Sequence, residues 1–174
     1  MYYKTNYTSR LGDILLASDG ENLIGLWFED QKYFGGDIKE EIKQKDDLPV
    51  FDSAKAWLDR YFDGKIPCIS ELPLAPRGGE FRKAVWDILC KISYGKCLTY
   101  GDIARELAAK SGKASMSAQA VGGAVGHNPI SIIIPCHRVV GSGGSLTGYA
   151  GGIAKKIELL KLEGVDISRF HVPK

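Results

Sequence analysis

Pro67, Pro73, Pro76 and the pair Gly78-Gly79 fall close together, and no regular helix or strand can run through them. They predict a connector that divides the polypeptide near residue 76. The 174 residues suffice for one large domain or two small ones, and the connector selects two, 1–76 and 77–174. The same cut divides the charge. Residues 1–76 hold 9 Lys/Arg against 14 Asp/Glu, a net of −5, and 77–174 hold 14 against 7, a net of +7. A basic half beside an acidic half suggests that the second half meets a polyanion; the plainer alternative is an ordinary solvated surface.

With 44% hydrophobic and 25% charged residues, the chain can bury an ordinary core. No apolar run approaches the ~20 residues that span a bilayer. Met1–Asn6 shows no secretory hydrophobic segment. A cytoplasmic location and no membrane partner are expected. Cys68, Cys90, Cys97 and Cys136 have neither disulfide-framework nor zinc-ligand spacing, so reduced thiols, no metal and no cofactor are expected.

Tyr2–Asn6, Asp13–Ser18 and Asn22–Phe28 read as strands, separated by turn signals at Arg10-Leu11-Gly12 and Asp19-Gly20. Gln31–Lys45 is polar and reads as a loop or short helix. Phe51, Ala54, Trp57, Leu58, Tyr61 and Phe62 give Val50–Phe62 a helical spacing that Gly64 is placed to end. In the second half, Phe81, Ala84, Val85, Ile88, Leu89 and Ile92 mark a strongly amphipathic helix, with Gly95 after it. Thr99-Tyr100-Gly101-Asp102 has the Ser/Thr-x-x-Asp/Glu form of a helix start, for a helix through about Ala109. After Gly112, a third helix is expected from near Ser117 to Gly126. Two short helices with a break between them suggest a helix-turn-helix, against the alternative of a plain bundle. The expected class is therefore α+β, within the broader α/β group. Gly122 and Gly123 in the third helix weaken it by about 1 kcal/mol each relative to alanine. That cost suggests close approach of another backbone, from a neighbouring helix or a nucleic acid.

Ile132-Ile133-Ile134-Pro135-Cys136-His137-Arg138-Val139-Val140 carries the chemistry. A β-branched run enters the core, a proline stops it, and a thiol and an imidazole follow. That arrangement suits nucleophilic catalysis, although a lone cysteine in an apolar run is usually a small buried hydrophobe. Adjacent side chains point to different faces, so a direct Cys136–His137 hydrogen bond is not expected.

Pro135-Cys136-His137-Arg138-Val139 resembles the active-site signature of the O6-alkylguanine-DNA alkyltransferases, also called methylated-DNA–protein-cysteine methyltransferases. Four further segments match in order. Ala120-Val121-Gly122-Gly123-Ala124 resembles the family's recognition helix, and Asn128-Pro129 its hinge asparagine. Gly148-Tyr149-Ala150-Gly151-Gly152 resembles its active-site loop, and Leu162-Glu163-Gly164 the segment carrying its buried glutamate. The resemblance is strong from about residue 78 to 166 and looser before.

The resemblance implies a ribonuclease H-like N-terminal sheet domain with a helix. It implies a mainly helical C-terminal domain containing a winged-helix-like helix-turn-helix. The implied activity is repair of double-stranded DNA. O6-alkylguanine, mainly O6-methylguanine and more weakly O4-methylthymine, is flipped out and its alkyl group moves irreversibly to Cys136, once per molecule. No obligate protein partner is implied, and a monomer is expected. By the same resemblance Glu163 orients His137, His137 takes the Cys136 proton through a water, and Asn128 braces the turn. Tyr100 gives a proton to guanine N3. Val139, Tyr149, Ala150 and Gly151 line the base pocket. Ala118, Gln119, Gly122, Gly123 and Arg138 belong to the DNA-binding set, with a salt bridge as the plainer reading of Arg138. One departure stands out. Gln119 occupies the place of the arginine that fills the gap left by the flipped base. The alternatives are a lesion-binding relative without transfer, a cysteine hydrolase, and a helix-turn-helix regulator that only binds DNA.

Overall fold

The strand-like runs near the N-terminus close into a sheet. In the computed structural model, which describes residues 1–173, β1 (Tyr2–Ser9), β2 (Gly12–Ser18) and β3 (Leu23–Phe28) form an antiparallel meander. The sheet order is β3-β2-β1-β4, yet every residue of β3 is buried despite its place at the edge. The exposed ladder is taken up by bridges from Leu23 to Leu74 and from Leu26 to Ile130. An edge strand this apolar would otherwise invite pairing with another chain.

The segment Gln31–Lys45, read above as loop or short helix, ends instead in a strand. β4 (Ile42–Gln44) runs parallel to β1, with Tyr2 opposite Ile42. Three residues among charges are too few for periodicity to register. Helix α1 (Pro49–Phe62) starts with a proline in its first turn and buries Phe51, Ala54, Trp57, Leu58 and Tyr61. Two compact units result: Met1–Arg77 with the short excursion Pro129–Ile133, and Gly78–Asn128 with the chain from Ile134 on.

In the second unit, α2 (Glu80–Leu89) buries Val85, Trp86, Ile88 and Leu89. The expected continuation to Ile92 does not hold as α-helix. Lys91 and Ile92 make tighter bonds to the carbonyls of Ile88 and Leu89, at 3.0 Å each. The α3 helix (Tyr100–Ser111) has the reciprocal cap that its first residues predict. The Asp102 amide donates to Thr99 Oγ1 at 3.0 Å, and the Thr99 amide to Asp102 Oδ2 at 2.9 Å. Gly112, at φ +68°, ends it in the left-handed conformation. Ser117 caps α4 (Ala118–Gly126), which packs on α2 and α3. Trp86 Nε1 donates to the Ala124 carbonyl at 2.9 Å. β5 (Leu98–Thr99) pairs in parallel with β6 (Val139–Val140). Helix α5 (Ile153–Leu162) has no clear signal in the sequence. Its inner face holds Leu159 and Leu160 but also Lys156, so the apolar stripe is broken by a charge. Among the described residues, no helix is long and apolar enough to cross a membrane.

Candidate active site

Cys136 is held by the backbone on both sides. Ile132 takes a left-handed φ of +69°, which is strained for a β-branched residue. Pro135 follows with φ −82° and ψ 66°, and the Cys136 amide donates to the Ile134 carbonyl at 2.8 Å. That is an inverse γ-turn, and it swings the chain into a short 3₁₀ turn, Cys136–Arg138. The buried Asn128 donates through Nδ2 to the same Ile134 carbonyl at 2.8 Å. Residues 131–140 are buried throughout.

Glu163, at the C-cap of α5, gathers the rest of the site. Its Oε2 lies 2.6 Å from His137 Nε2. Arg138 grips the same carboxylate twice, Nε to Oε1 at 2.7 Å and Nη2 to Oε2 at 3.1 Å. The Gly95 amide adds a bond to Oε1 at 3.2 Å. Arg138 Nη1 also donates to the Ile92 carbonyl at 2.6 Å, an acceptor released by the loosened end of α2. Arg138 therefore does not face a DNA strand, contrary to the assignment above. It is buried and spent on Glu163 and Ile92, as the plainer salt-bridge reading has it.

These contacts set the charges. Burial opposes ionisation of Glu163, but the hydrogen bonds from His137 and Arg138, with the Arg138 charge, outweigh it and hold the carboxyl well below the usual range. Burial pulls His137 below its ordinary value despite Glu163. An ionised carboxylate can only accept, so Nε2 of the neutral ring carries the proton and Nδ1 is the basic nitrogen. Burial also raises the Cys136 thiol, while a hydrogen bond from Asn128 and the charge of Lys156 pull it down. The net shift is upward, so the resting sulfur is a protonated thiol.

Two further residues meet at the loop after Thr147. Tyr100 Oη donates to the Thr147 carbonyl at 3.1 Å. Burial, with the nearby Cys136, pushes the phenol up to about 12. Lys156 is fully buried and donates to the Val139 carbonyl at 2.5 Å and to Thr147 at 2.9 Å. Gly148, at φ +76°, lies so close to Tyr100 that a Cβ there would meet Oη at 2.6 Å. Tyr149 and Val139 are buried, and Ala150 and Gly151 half-buried. Ala118, Gln119 and Gly123 are exposed on the outer face of α4, and Gly122 is half-buried. Sequence reasoning missed Gly95, Ile92 and Lys156. The first two act only through backbone groups, and a lysine on a charged-looking helix reads as solvated. Among the described residues, no three His, Cys, Asp or Glu side chains converge as a metal site.

A two-unit α+β protein with a buried thiol, a neutral imidazole and an ionised carboxylate in its helical half is a cysteine-centred protein. The comparisons make this specific: the chain belongs to the 6-O-methylguanine DNA methyltransferase family. Residues 1–76 match its ribonuclease-like domain and 80–165 its DNA binding domain. The methylated-DNA–protein-cysteine methyltransferase of Haemophilus influenzae is 44% identical, over 94% of this chain and 87% of the relative. That of Methanosarcina acetivorans is 43% identical, over 94% and 99%. The crystal structure of Mycobacterium tuberculosis OGT in complex with DNA superposes with a TM-score of 0.78 at 37% identity, covering 97% of this chain and 94% of that one.

Proposed function

We propose that this protein repairs double-stranded DNA by moving the alkyl group of O6-alkylguanine to the sulfur of Cys136. The observation that carries the reading is the Glu163–His137 contact of 2.6 Å beside a buried cysteine. The target oxygen lies inside a stacked duplex, so the base must be flipped out. His137 Nδ1 accepts the Cys136 proton through a water, and the ionised Glu163 steadies the imidazolium that forms. The sulfur then bonds the methyl carbon as the carbon–O6 bond breaks. Tyr100 protonates guanine N3, and the proton held on His137 returns through solvent to the phenolate. The products are a thioether and guanine, with no net change in protons. A thioether is a poor leaving group, so each molecule acts once.

Val139, Tyr149, Ala150 and Gly151 frame the base pocket in this reading, and Asn128 holds the turn that presents the thiol. Gln119 on exposed α4 enters the stack in place of the departed base, hydrogen-bonding its orphaned partner. O6-methylguanine is the main substrate and O4-methylthymine a weaker one; the protein works as a monomer in the cytoplasm.

Incubation with a duplex carrying one O6-methylguanine, followed by peptide mass analysis, tests the reading. One added methyl on the Cys136 peptide, and inactivity afterwards, is expected. A restored guanine beside an unmodified Cys136 peptide would overturn it. Binding without repair would instead identify a lesion binder.

A further inference from the structure

We infer that Lys156 is a positioning residue that keeps the Thr147 carbonyl bonded while Tyr100 turns its hydroxyl from that carbonyl to the flipped base. The inference rests on the alkyl-transfer reading above, and it assigns a task to a residue that reading leaves unused.

A fully buried lysine is uncommon, and its ammonium must be met by hydrogen bonds. Lys156 is met by two backbone carbonyls, Val139 at 2.5 Å and Thr147 at 2.9 Å. Val139 lies three residues beyond Cys136, and Thr147 opens the glycine-rich loop through Gly152. Between them the chain makes an excursion closed by a bridge from Gly141 to Ser145. One ammonium thus ties the strand that follows the nucleophile to the start of the pocket loop.

The Thr147 carbonyl is also where Tyr100 donates its one hydroxyl proton, at 3.1 Å. A carbonyl oxygen has two lone pairs, so Tyr100 and Lys156 together fill it. Tyr100 cannot serve both Thr147 and guanine N3. When it turns to the base, Thr147 would lose its partner if Tyr100 were the only one, and a half-buried carbonyl resists that. Lys156 keeps the bond, so the loop stays in place while the phenol changes acceptor. The positive charge beside Cys136 is a second contribution, since it pulls the thiol toward ionisation.

The test is a double-mutant cycle of Lys156→Met and Tyr100→Phe. The readouts are single-turnover methyl transfer from a duplex containing O6-methylguanine, thermal stability, and duplex affinity measured in a Cys136→Ala background. Lys156→Met should slow transfer by about tenfold to a hundredfold, while affinity stays within about twofold. In the Tyr100→Phe background its effect should shrink to less than about threefold, because no hand-over is left to assist and only the charge beside Cys136 still contributes. Lys156→Gln, which keeps an N–H donor without the charge, should recover part of the rate and guards against a Met variant that fails to fold. Transfer at the wild-type rate in folded Lys156→Met overturns the inference. So does an equal slowing in both backgrounds, the mark of a role that does not run through Tyr100. Absence of methyl on Cys136 in the wild-type protein removes the alkyl-transfer reading itself, a separate failure.

Discussion

Helix α4 and the Cys136 turn lie in one unit and are built by opposite rules. The turn is buried from Ile134 to Val140, with Asn128 bonded to the Ile134 carbonyl and Arg138 to Glu163. The outer face of α4 carries Ala118, Gln119 and Gly123 in the open, and a Cβ added at Gly123 would meet nothing within 4 Å. Gly122 has only an ordinary contact, 3.8 Å to Tyr100. The glycines of α4 are thus not explained by a neighbouring protein backbone, one of the two options their sequence left open. Dense packing fixes the turn, while the glycines of α4 give up helix stability for an open surface, the one that the proposed function assigns to DNA.

The largest expected effect falls on the turn. Glu163→Ala strands Arg138 and His137 in a buried site without their carboxylate. It should destabilise the fold by about 3–5 kcal/mol, read by denaturant unfolding, and should nearly abolish methyl transfer. A loss under ~1 kcal/mol would mean that the network is far wetter than its burial indicates.

Acid should strike the same pair without a mutation. Glu163 in the folded chain lies below its ordinary 4.5, so the stability it contributes is complete above that pH and is lost as pH falls toward the folded value. His137 is lowered from 6.5 and stays neutral when folded, while the unfolded chain takes up a proton below that pH. Both groups favour the unfolded state on acidification. The unfolding midpoint should therefore fall steadily below about pH 6.5. Glu163→Gln should remove the part of the fall below about pH 4.5 and leave the part that begins near 6.5, which belongs to the buried His137, and a midpoint indifferent to pH would contradict the assigned charges.

Asn128→Ala should cost about 1–3 kcal/mol by leaving the Ile134 carbonyl short of a donor. It should also slow transfer by removing a bond that favours the Cys136 thiolate. The smallest effects on stability belong to α4. Gly123→Ala should raise stability by about 0.5–1 kcal/mol through helix propensity, yet weaken binding to duplex DNA. Gln119→Ala should leave stability within about 0.5 kcal/mol and slow single-turnover transfer on duplex DNA several-fold. If Gly123→Ala bound duplex as tightly as wild type, the contrast between an open contact face and a closed turn would fail.

Much of this organisation is legible in the sequence. Strand-like runs between the turn signals at Arg10-Leu11-Gly12 and Asp19-Gly20 mark β1 to β3, and the 3.6-residue spacing of Phe51 through Tyr61 marks α1. The Thr99-x-x-Asp102 cap and Gly112 bracketed α3. Each of these signals is local: a few neighbouring residues and the chain's own geometry suffice to set it. The sequence by itself also determined that a cysteine and a histidine follow a proline after a β-branched run.

Only the tertiary structure decided what those residues touch. Glu163 reaches His137 across 26 residues, Gly95 reaches Glu163 across 68, and the Ile92 carbonyl meets Arg138 across 46. A lysine in α5 turned inward because two distant carbonyls, Val139 and Thr147, converge on it. Arg138 left the expected DNA face for the same reason, a buried carboxylate supplied from far along the chain. Periodicity and capping report the surroundings of a residue along the backbone. The charge a buried group can hold depends on what folding brings to it through space, and for His137, Glu163 and Lys156 that was decided by partners no local pattern encodes.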